Sequence, residues 1–148
     1  MVCLGNICRS PLAHGILQSK LPQNQFYVDS AGTANYHVGD LPDHRSIAVA
    51  KSNGIDISHQ RGRQFKVSDF DAFDYIYVMD QSNFEDVVKL ARNTNDIAKV
   101  KLILEIDDTT NEKRVPDPYY GNRSDFEHVF SLLDNACSLL SKRLMSNT

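Results

Sequence analysis

Apolar residues recur along this chain at two spacings, one typical of helices and the other typical of strands. Helical spacing is clearest near the C-terminus, where Phe126, Val129, Phe130 and Leu133 share one predicted face. The same spacing predicts helices over about residues 11–20, 44–53, 80–92 and 124–145, with a short helical turn near 68–70. Short apolar runs predict strands at about residues 2–4, 25–30, 75–79 and 100–104. Strands that alternate with helices predict an α/β fold, a parallel sheet with helices on both faces.

The first strand leads through a short loop into the first helix. Gly5 and Asn6 both tolerate the left-handed backbone that a tight turn needs. Ser10 suits the N-cap of a helix, and Pro11 suits the first helical position. Because the N–H groups of such a loop and of the helix N-terminus converge, the sequence predicts an anion site at the end of the first strand.

Cys3 and Arg9, at the two ends of this loop, are candidates for chemistry on the bound anion. Converging N–H groups, a helix N-terminus and a guanidinium all favour the thiolate of Cys3 over the thiol. The same groups would bind the oxygens of a phosphoryl group, and Arg9 can hold two of them at once. A thiolate that faces bound phosphorus is an activated nucleophile. The spacing alone is a weak signal, because a buried strand cysteine before an ordinary turn would give it too.

Composition narrows the class of protein. The chain has 148 residues, and we expect one domain over residues 1–148 with a sizeable core. A net charge of −3 argues against nucleic acid as the main partner, and no apolar run approaches the length of a membrane span. Three cysteines, two of them in the loop, do not form a secretory disulfide framework. We therefore expect a cytoplasmic protein that binds neither nucleic acid nor membranes.

The whole string from Cys3 to Pro11, Cys-Leu-Gly-Asn-Ile-Cys-Arg-Ser-Pro, resembles the phosphate-binding loop of the low-molecular-weight protein tyrosine phosphatases. Residues 29–33, 73–80 and 117–121 resemble further family segments in the same order. The resemblance implies a four-stranded sheet of order 2-1-3-4, with the loop at the switch point where such sheets bind ligands. The family usually has several more residues before the loop. We expect either a short central strand here or further chain upstream of Met1.

The resemblance also implies hydrolysis of phosphotyrosine and aryl phosphate monoesters, with roles for individual residues. Cys3 would form a phosphocysteine, Arg9 would bind the phosphate, and Asp117 would act as general acid and then as general base. Pro116 and Pro118 limit where the Asp117 carboxylate can point. The remaining loop residues would bind phosphate, and these are Leu4, Gly5, Asn6, Ile7, Cys8 and Ser10. Because the loop already supplies positive charge, we expect no metal and no other cofactor.

A substrate cleft and a supporting shell follow from the same resemblance. Tyr36, Tyr119 and Tyr120 are expected to wall a deep, apolar slot that suits the flat ring of phosphotyrosine in a protein or peptide. Ser10 is expected to hydrogen-bond the thiolate, and Asp43 is expected to pair with Arg45. Asn6 is expected in a strained conformation that hydrogen bonds stabilise, from the side chains of Ser30, His59 and Asp80.

The resemblance further implies redox control, and we expect a monomer or a weak dimer. Cys8 would capture an oxidised Cys3 as a disulfide and so prevent irreversible oxidation. Cys137 is expected in the core. Exposed Tyr119 and Tyr120 would support weak self-association and are candidates for phosphorylation.

Three other activities fit parts of the sequence. A thiol-dependent arsenate reductase needs resolving cysteines downstream, and none occurs between Arg9 and Ala136. A protein-arginine phosphatase carries a small threonine where this chain has Ile7, which favours the tyrosine phosphatase. A phosphotyrosine-binding module without catalysis would need neither Cys3 nor the acid Asp117.

Overall fold

Four short parallel strands form the centre of the fold, in the order β2-β1-β3-β4. The computed structural model describes residues 1–147. Its strands are β1 Val2–Cys3, β2 Ala31–Gly32, β3 Ile76–Val78 and β4 Val100–Leu102. Its helices are α1 Arg9–Lys20, α2 His44–Ser52, α3 Asp69–Ala72, α4 Gln81–Val88, α5 Thr94–Ala98 and α6 Arg123–Ser146, with a 3₁₀ turn at Ile103–Ile106. The predicted fold class and strand order are confirmed.

Helices cover the sheet on both faces and bury two clusters of apolar side chains. On one face α1 and α6 pack together, with Leu12 and Ile16 against Phe126 and Leu133 in the larger cluster. On the other face α3 and α4 bury a smaller cluster around Phe70. Cys137 lies in the larger cluster, as predicted. The helices therefore fix the sheet, and the sheet fixes the loop that follows β1.

Side-chain caps fix the ends of the helices that flank the sheet. The side chains of Asp43 and Asp80 accept from backbone N–H groups at the starts of α2 and α4. Asn122 and Asp125 form a reciprocal capping box at the start of α6. Gly54 ends α2 with a φ of 79°, a left-handed conformation that glycine adopts without strain.

Two predictions about the first elements are wrong in position. The second strand comprises residues 31–32 and not 25–30, because pairing with β1 begins only where Ala31 N donates to Met1 O. Phe26 still packs against the core, which explains the alternation that predicted a strand there. Helix α1 begins at Arg9, so Ser10 and Pro11 lie within its first turn and the Ser10 hydroxyl does not cap it. Proline is tolerated there because the N–H groups of a first turn have no helical partner.

The remaining differences are small. The fourth strand ends at Leu102 and continues as the 3₁₀ turn, and the five-residue helix α5 was not predicted. The central strand β1 has only two residues. Within residues 1–147, no helix combines the length and the apolar character needed to cross a membrane.

Candidate active site

The loop from Cys3 to Arg9 is stabilised by the side chain of Asn6. Asn6 has a φ of 58°, a left-handed conformation that is strained for a residue with a Cβ. Its Nδ2 donates to Ser10 Oγ at 2.7 Å and to Ser30 Oγ at 3.0 Å, while its Oδ1 accepts from Arg63 N at 3.0 Å. These three hydrogen bonds offset the backbone strain, so the predicted conformation of Asn6 and its contact with Ser30 are confirmed.

The predicted contacts of His59 and Asp80 with Asn6 are wrong. His59 is exposed, and the next residue, Gln60, is the one that turns inward and donates to Pro11 O at 3.1 Å. Asp80 instead caps helix α4 and accepts from Arg9. Of the three predicted contacts of Asn6, the structure therefore has the one with Ser30, while Asp80 supports the site through Arg9 instead.

The histidine of this network is His14, which the sequence analysis missed. His14 is buried on α1, one turn after Ser10, and its Nδ1 lies 3.2 Å from Ser30 Oγ. Burial lowers the pKa of His14 to about 4, so its imidazole is neutral at physiological pH. A neutral Nδ1 can accept from the Ser30 hydroxyl, whose oxygen accepts from Asn6. The sequence signal for a place of His14 in this network is its spacing of four residues from Ser10, which puts both on one helix face.

Close packing of the loop on β2 requires glycine at position 32. A Cβ there would lie 2.7 Å from Leu4 O and 3.1 Å from Asn6 N, both backbone atoms. Leu4 O also accepts from Ala34 N at 3.0 Å. The backbone of the loop is thus held against the segment that follows β2.

The Cys3 sulfur lies at the base of the site. Cys3 is buried, with its Sγ 3.1 Å from Ser10 Oγ and 3.3 Å from Asn6 N, which donates to it. Among the hydrogen bonds of residues 1–147, the N–H groups of Gly5, Ile7 and Cys8 have no protein acceptor. The loop thus has backbone donors beside a thiol, an arrangement suited to an oxyanion above the sulfur.

Arg9 is buried beneath the loop and held in one orientation. Its Nη1 donates to Asp80 Oδ2 at 2.6 Å and to Val115 O at 3.1 Å. Burial opposes the charge, but the electrostatic interactions with Cys3, Asp80 and Asp117 outweigh it and raise the pKa of Arg9 above its ordinary value. The guanidinium is therefore a permanent cation at the site.

Asp117 reaches the same pocket from the loop between the 3₁₀ turn and α6. Its carboxylate is about half exposed, with Oδ2 lying 3.8 Å from Arg9 Nη2. Oδ1 accepts from Tyr119 N at 3.1 Å, which orients the side chain. The structure therefore brings Asp117, from a distant part of the chain, together with Cys3 and Arg9 of the loop.

These three residues line one pocket of about 330 Å³, within the usual range for a small-ligand site. The other lining residues that the sequence predicted are Leu4, Gly5, Ile7, Cys8, Tyr36, Tyr119 and Tyr120. His37 also lines the pocket, which the sequence analysis missed, and its Nδ1 lies 3.1 Å from Asp40 Oδ2. The walls are largely aromatic and apolar, as a flat ring requires.

The pair Asp43 and Arg45 links helix α2 to the loop that carries Asp117. Arg45 binds both carboxylate oxygens of Asp43 and donates to Tyr119 O at 2.9 Å. Hydrogen bonds from Arg45 lower the pKa of the Asp43 carboxyl. Asp43 N in turn donates to Ile7 O at 2.8 Å. The predicted pair is thus present, and it connects both sides of the pocket.

Comparison with known proteins gives one consistent result. The sequence model of a family described as low molecular weight phosphotyrosine protein phosphatase matches residues 1–148. The low molecular weight phosphotyrosine protein phosphatase of Homo sapiens is 42% identical over 144 residues, which is 92% of this chain and 88% of that protein. The Saccharomyces cerevisiae protein of the same description is 41% identical over 138 residues, covering 87% of this chain and 83% of its own length.

Solved structures agree with this result. A protein tyrosine phosphatase from Entamoeba histolytica, crystallised with Hepes in its active site, matches with a TM-score of 0.90 and 36% identity, over 99% of this chain and 95% of that one. Wzb from Vibrio vulnificus, in complex with benzylphosphonate, matches with a TM-score of 0.86 and 30% identity, over 96% and 94% of the two chains.

Proposed function

The chain belongs to the low molecular weight phosphotyrosine protein phosphatase family, and we propose that it hydrolyses phosphotyrosine and aryl phosphate monoesters through a phosphocysteine on Cys3. The observation that carries this proposal is the convergence of Cys3, Arg9 and Asp117 on one pocket. The benzylphosphonate bound by the related Wzb supports it, because that ligand combines an aryl ring with a phosphate-like group.

In the first step the Cys3 thiolate attacks phosphorus while the bond from phosphorus to the phenolic oxygen breaks. Loop N–H groups and the Arg9 guanidinium bind the three non-bridging oxygens and stabilise their charge. Protonated Asp117 gives its proton to the departing phenolate. The half-exposed carboxylate of Asp117, which lines the same pocket as Cys3, suits this role.

In the second step water attacks the phosphocysteine. The Asp117 carboxylate takes a proton from the water, the sulfur–phosphorus bond breaks, and Cys3 leaves as a thiolate. The Ser10 hydroxyl, 3.1 Å from Sγ, can donate to the leaving thiolate because Asn6 Nδ2 already donates to the Ser10 oxygen. Inorganic phosphate is the product, and the thiolate is regenerated. No step of this sequence requires a metal or another cofactor.

We also propose reversible oxidation of the same site. Peroxide would convert the Cys3 thiolate to a sulfenic acid, and the Cys8 thiol would displace water from it to form a disulfide. Cys8 is buried and lines the pocket. Burial raises the pKa of the Cys8 thiol to about 12, so this second reaction is expected to be slow at neutral pH.

Turnover of p-nitrophenyl phosphate and of a phosphotyrosine peptide by the wild type and by Cys3→Ser tests the proposed function. We expect the wild type to cleave both in the presence of a chelator, and Cys3→Ser to cleave neither. Activity that a chelator abolishes and a divalent cation restores would contradict the mechanism. So would full activity of Cys3→Ser.

A further inference from the structure

Five exposed apolar side chains line the pocket or belong to the segment that continues from its wall, and we call them the mouth patch. Its members are Leu4, Tyr36, Val38, Leu41 and Tyr120, and their exposure ranges from 40% for Leu4 to 97% for Tyr120. Single exposed apolar residues are common on protein surfaces, but several at the edge of one pocket mark a binding surface.

The position of Val38 and Leu41 follows from the segment 34–43, which is tied to the loop at both ends. Ala34 N donates to Leu4 O at 3.0 Å, and Asp43 N donates to Ile7 O at 2.8 Å. Val38 directly follows His37, which lines the pocket. Leu41 is only two residues before Asp43. Val38 is therefore one residue from the pocket wall, and Leu41 is two residues from the backbone contact with Ile7, which lines the pocket.

Backbone contacts hold this segment in one shape. Gly39 N donates to Gly62 O and Gly62 N donates to Asp40 O, both at 2.8 Å. A Cβ on Gly62 would lie only 2.3 Å from His37 O, so the two chain segments pack at backbone distance. The apolar side chains are thus presented in a fixed arrangement.

Charged side chains near the mouth are already paired with other groups of this chain. His37 pairs with Asp40 at 3.1 Å. Arg45 binds Asp43 and Tyr119 O, and Arg61 donates to the backbone carbonyl groups of residues 58 and 60. Binding an acidic segment would require breaking one of these pairs. Burial of apolar surface is the interaction that the mouth offers without such a loss.

We propose that the mouth patch binds apolar residues next to the phosphotyrosine in protein substrates, so that the enzyme selects apolar over polar flanking sequence. This inference rests on the proposed function. When a phosphotyrosine occupies the pocket, the residues on either side of it must cross the mouth, because each adds only about 3.3–3.6 Å of chain. Apolar side chains at those positions would cover Val38, Leu41 and Tyr36.

Two phosphotyrosine peptides that differ only beside the phosphotyrosine test the proposal, one with leucine on both sides and one with serine. We expect the wild type to give a kcat/KM about four- to fifteenfold higher for the leucine peptide, the effect of burying one or two methylene groups. In Val38→Ser and Leu41→Ser the ratio of the two kcat/KM values should fall towards one. Any general loss of activity affects both peptides and cancels in this ratio.

Leu90→Ser and Ile97→Ser are the matched controls. Both residues are 42% exposed, close to the exposure of Leu41, and neither lines the pocket. These variants should keep the wild-type ratio.

Equal cleavage of the two peptides by the wild type would overturn the inference and leave the proposed function standing. Cleavage of neither peptide would instead contradict the proposed function. A dimer at assay concentration that Leu41→Ser dissociates, with an unchanged peptide ratio, would make the mouth patch a contact between two copies and overturn the inference as well.

Discussion

Asp117 differs from the other carboxylates of its loop because it reaches Arg9 and the pocket. We expect Asp117→Asn to slow the cleavage of phosphotyrosine by about 10²–10⁴-fold, since its phenolate, with a pKa of about 10, leaves poorly without a proton. The loss of kcat/KM on p-nitrophenyl phosphate should be smaller, because kcat/KM reports formation of the phosphocysteine and nitrophenolate leaves readily. Slower hydrolysis of the phosphocysteine limits kcat with either substrate. Steady-state kinetics with both substrates measure the difference.

Asp108→Asn is the control for this prediction. Asp108 is a carboxylate of the same connecting loop, and it does not line the pocket. Asp108→Asn should therefore cleave both substrates as the wild type does. A larger loss in Asp108→Asn than in Asp117→Asn would place the acid elsewhere on the loop.

Cys8 gives a second prediction at this scale. Mild peroxide should inactivate the wild type, and a thiol reductant should restore it by reducing a disulfide between Cys3 and Cys8. In Cys8→Ser the inactivation should be largely irreversible, because nothing then intercepts the sulfenic acid. Peptide mapping of the oxidised wild type identifies the pair, and a disulfide that contains Cys137 would refute this role of Cys8.

Individual residues differed in how far the sequence could predict them. Cys3 and Arg9 belong to one continuous string, so their proximity follows from a local loop. His14 could not be predicted, because its contact with Ser30 joins a helix to a segment that the sequence predicted as strand. His59 was misplaced because residues 60–63 turn Gln60 inward instead.

At the scale of elements, the sequence predicts the N-caps of α2 and α4 and the end of α2 at Gly54. Their signals are local side-chain and backbone preferences. The position of β2 could not be predicted from the sequence, because a strand is defined by the residues it pairs with. Residues 25–30 do not pair with β1, whose register begins at Ala31. For Arg45 the sequence predicted the pair with Asp43 but not the contacts with Tyr119 O and Gly121 O, which span more than 70 residues.

Arg45 therefore gives a prediction about how α2 positions the Asp117 loop. Arg45→Gln should lower kcat/KM for phosphotyrosine about tenfold, because a misplaced acid is less effective, with a smaller effect on kcat/KM for p-nitrophenyl phosphate. Arg92→Gln is the control, since the Arg92 guanidinium is also paired with carboxylates, but those of Asp71 and Asp96, which lie outside the Asp117 loop. Equal effects of the two variants would argue against a positioning role for Arg45.

At the scale of the whole molecule, the sheet order 2-1-3-4 places the end of β1 at the switch point, which is where the pocket lies. This could be predicted because right-handed crossovers leave few arrangements of four parallel strands, and the resemblance selects one of them. The buried polar network behind the loop could not be predicted in the same way. It depends on which side chains the packing of α1 on the sheet brings together.

That network makes global stability depend on pH. The pKa of His14 falls from 6.5 to about 4 on folding, so between these values the unfolded chain binds a proton that the folded chain does not. The free energy of unfolding therefore rises with pH across this window, and His14 accounts for about 3 kcal/mol of that rise. Urea denaturation of the wild type and His14→Gln at several pH values measures it.

The difference in unfolding free energy between the two proteins isolates His14, since the other titrating groups are common to both. From pH about 4 to pH about 6.5, the unfolding free energy of the wild type should rise by about 3 kcal/mol relative to that of His14→Gln. A constant difference across the window would show that His14 is not buried in its neutral form.

The most direct test of the proposed chemistry is to trap the phosphoryl group on the protein. Asp117→Asn should still transfer phosphate from p-nitrophenyl phosphate to Cys3 but should hydrolyse the product slowly, because the base is missing. We expect rapid denaturation with radiolabelled substrate, followed by peptide mapping, to find one phosphoryl group on the peptide that contains Cys3. The label should be absent when Cys3→Ser is combined with Asp117→Asn. Phosphate on any other residue would contradict the phosphocysteine mechanism. So would turnover by Asp117→Asn without a labelled protein, or turnover by the double variant.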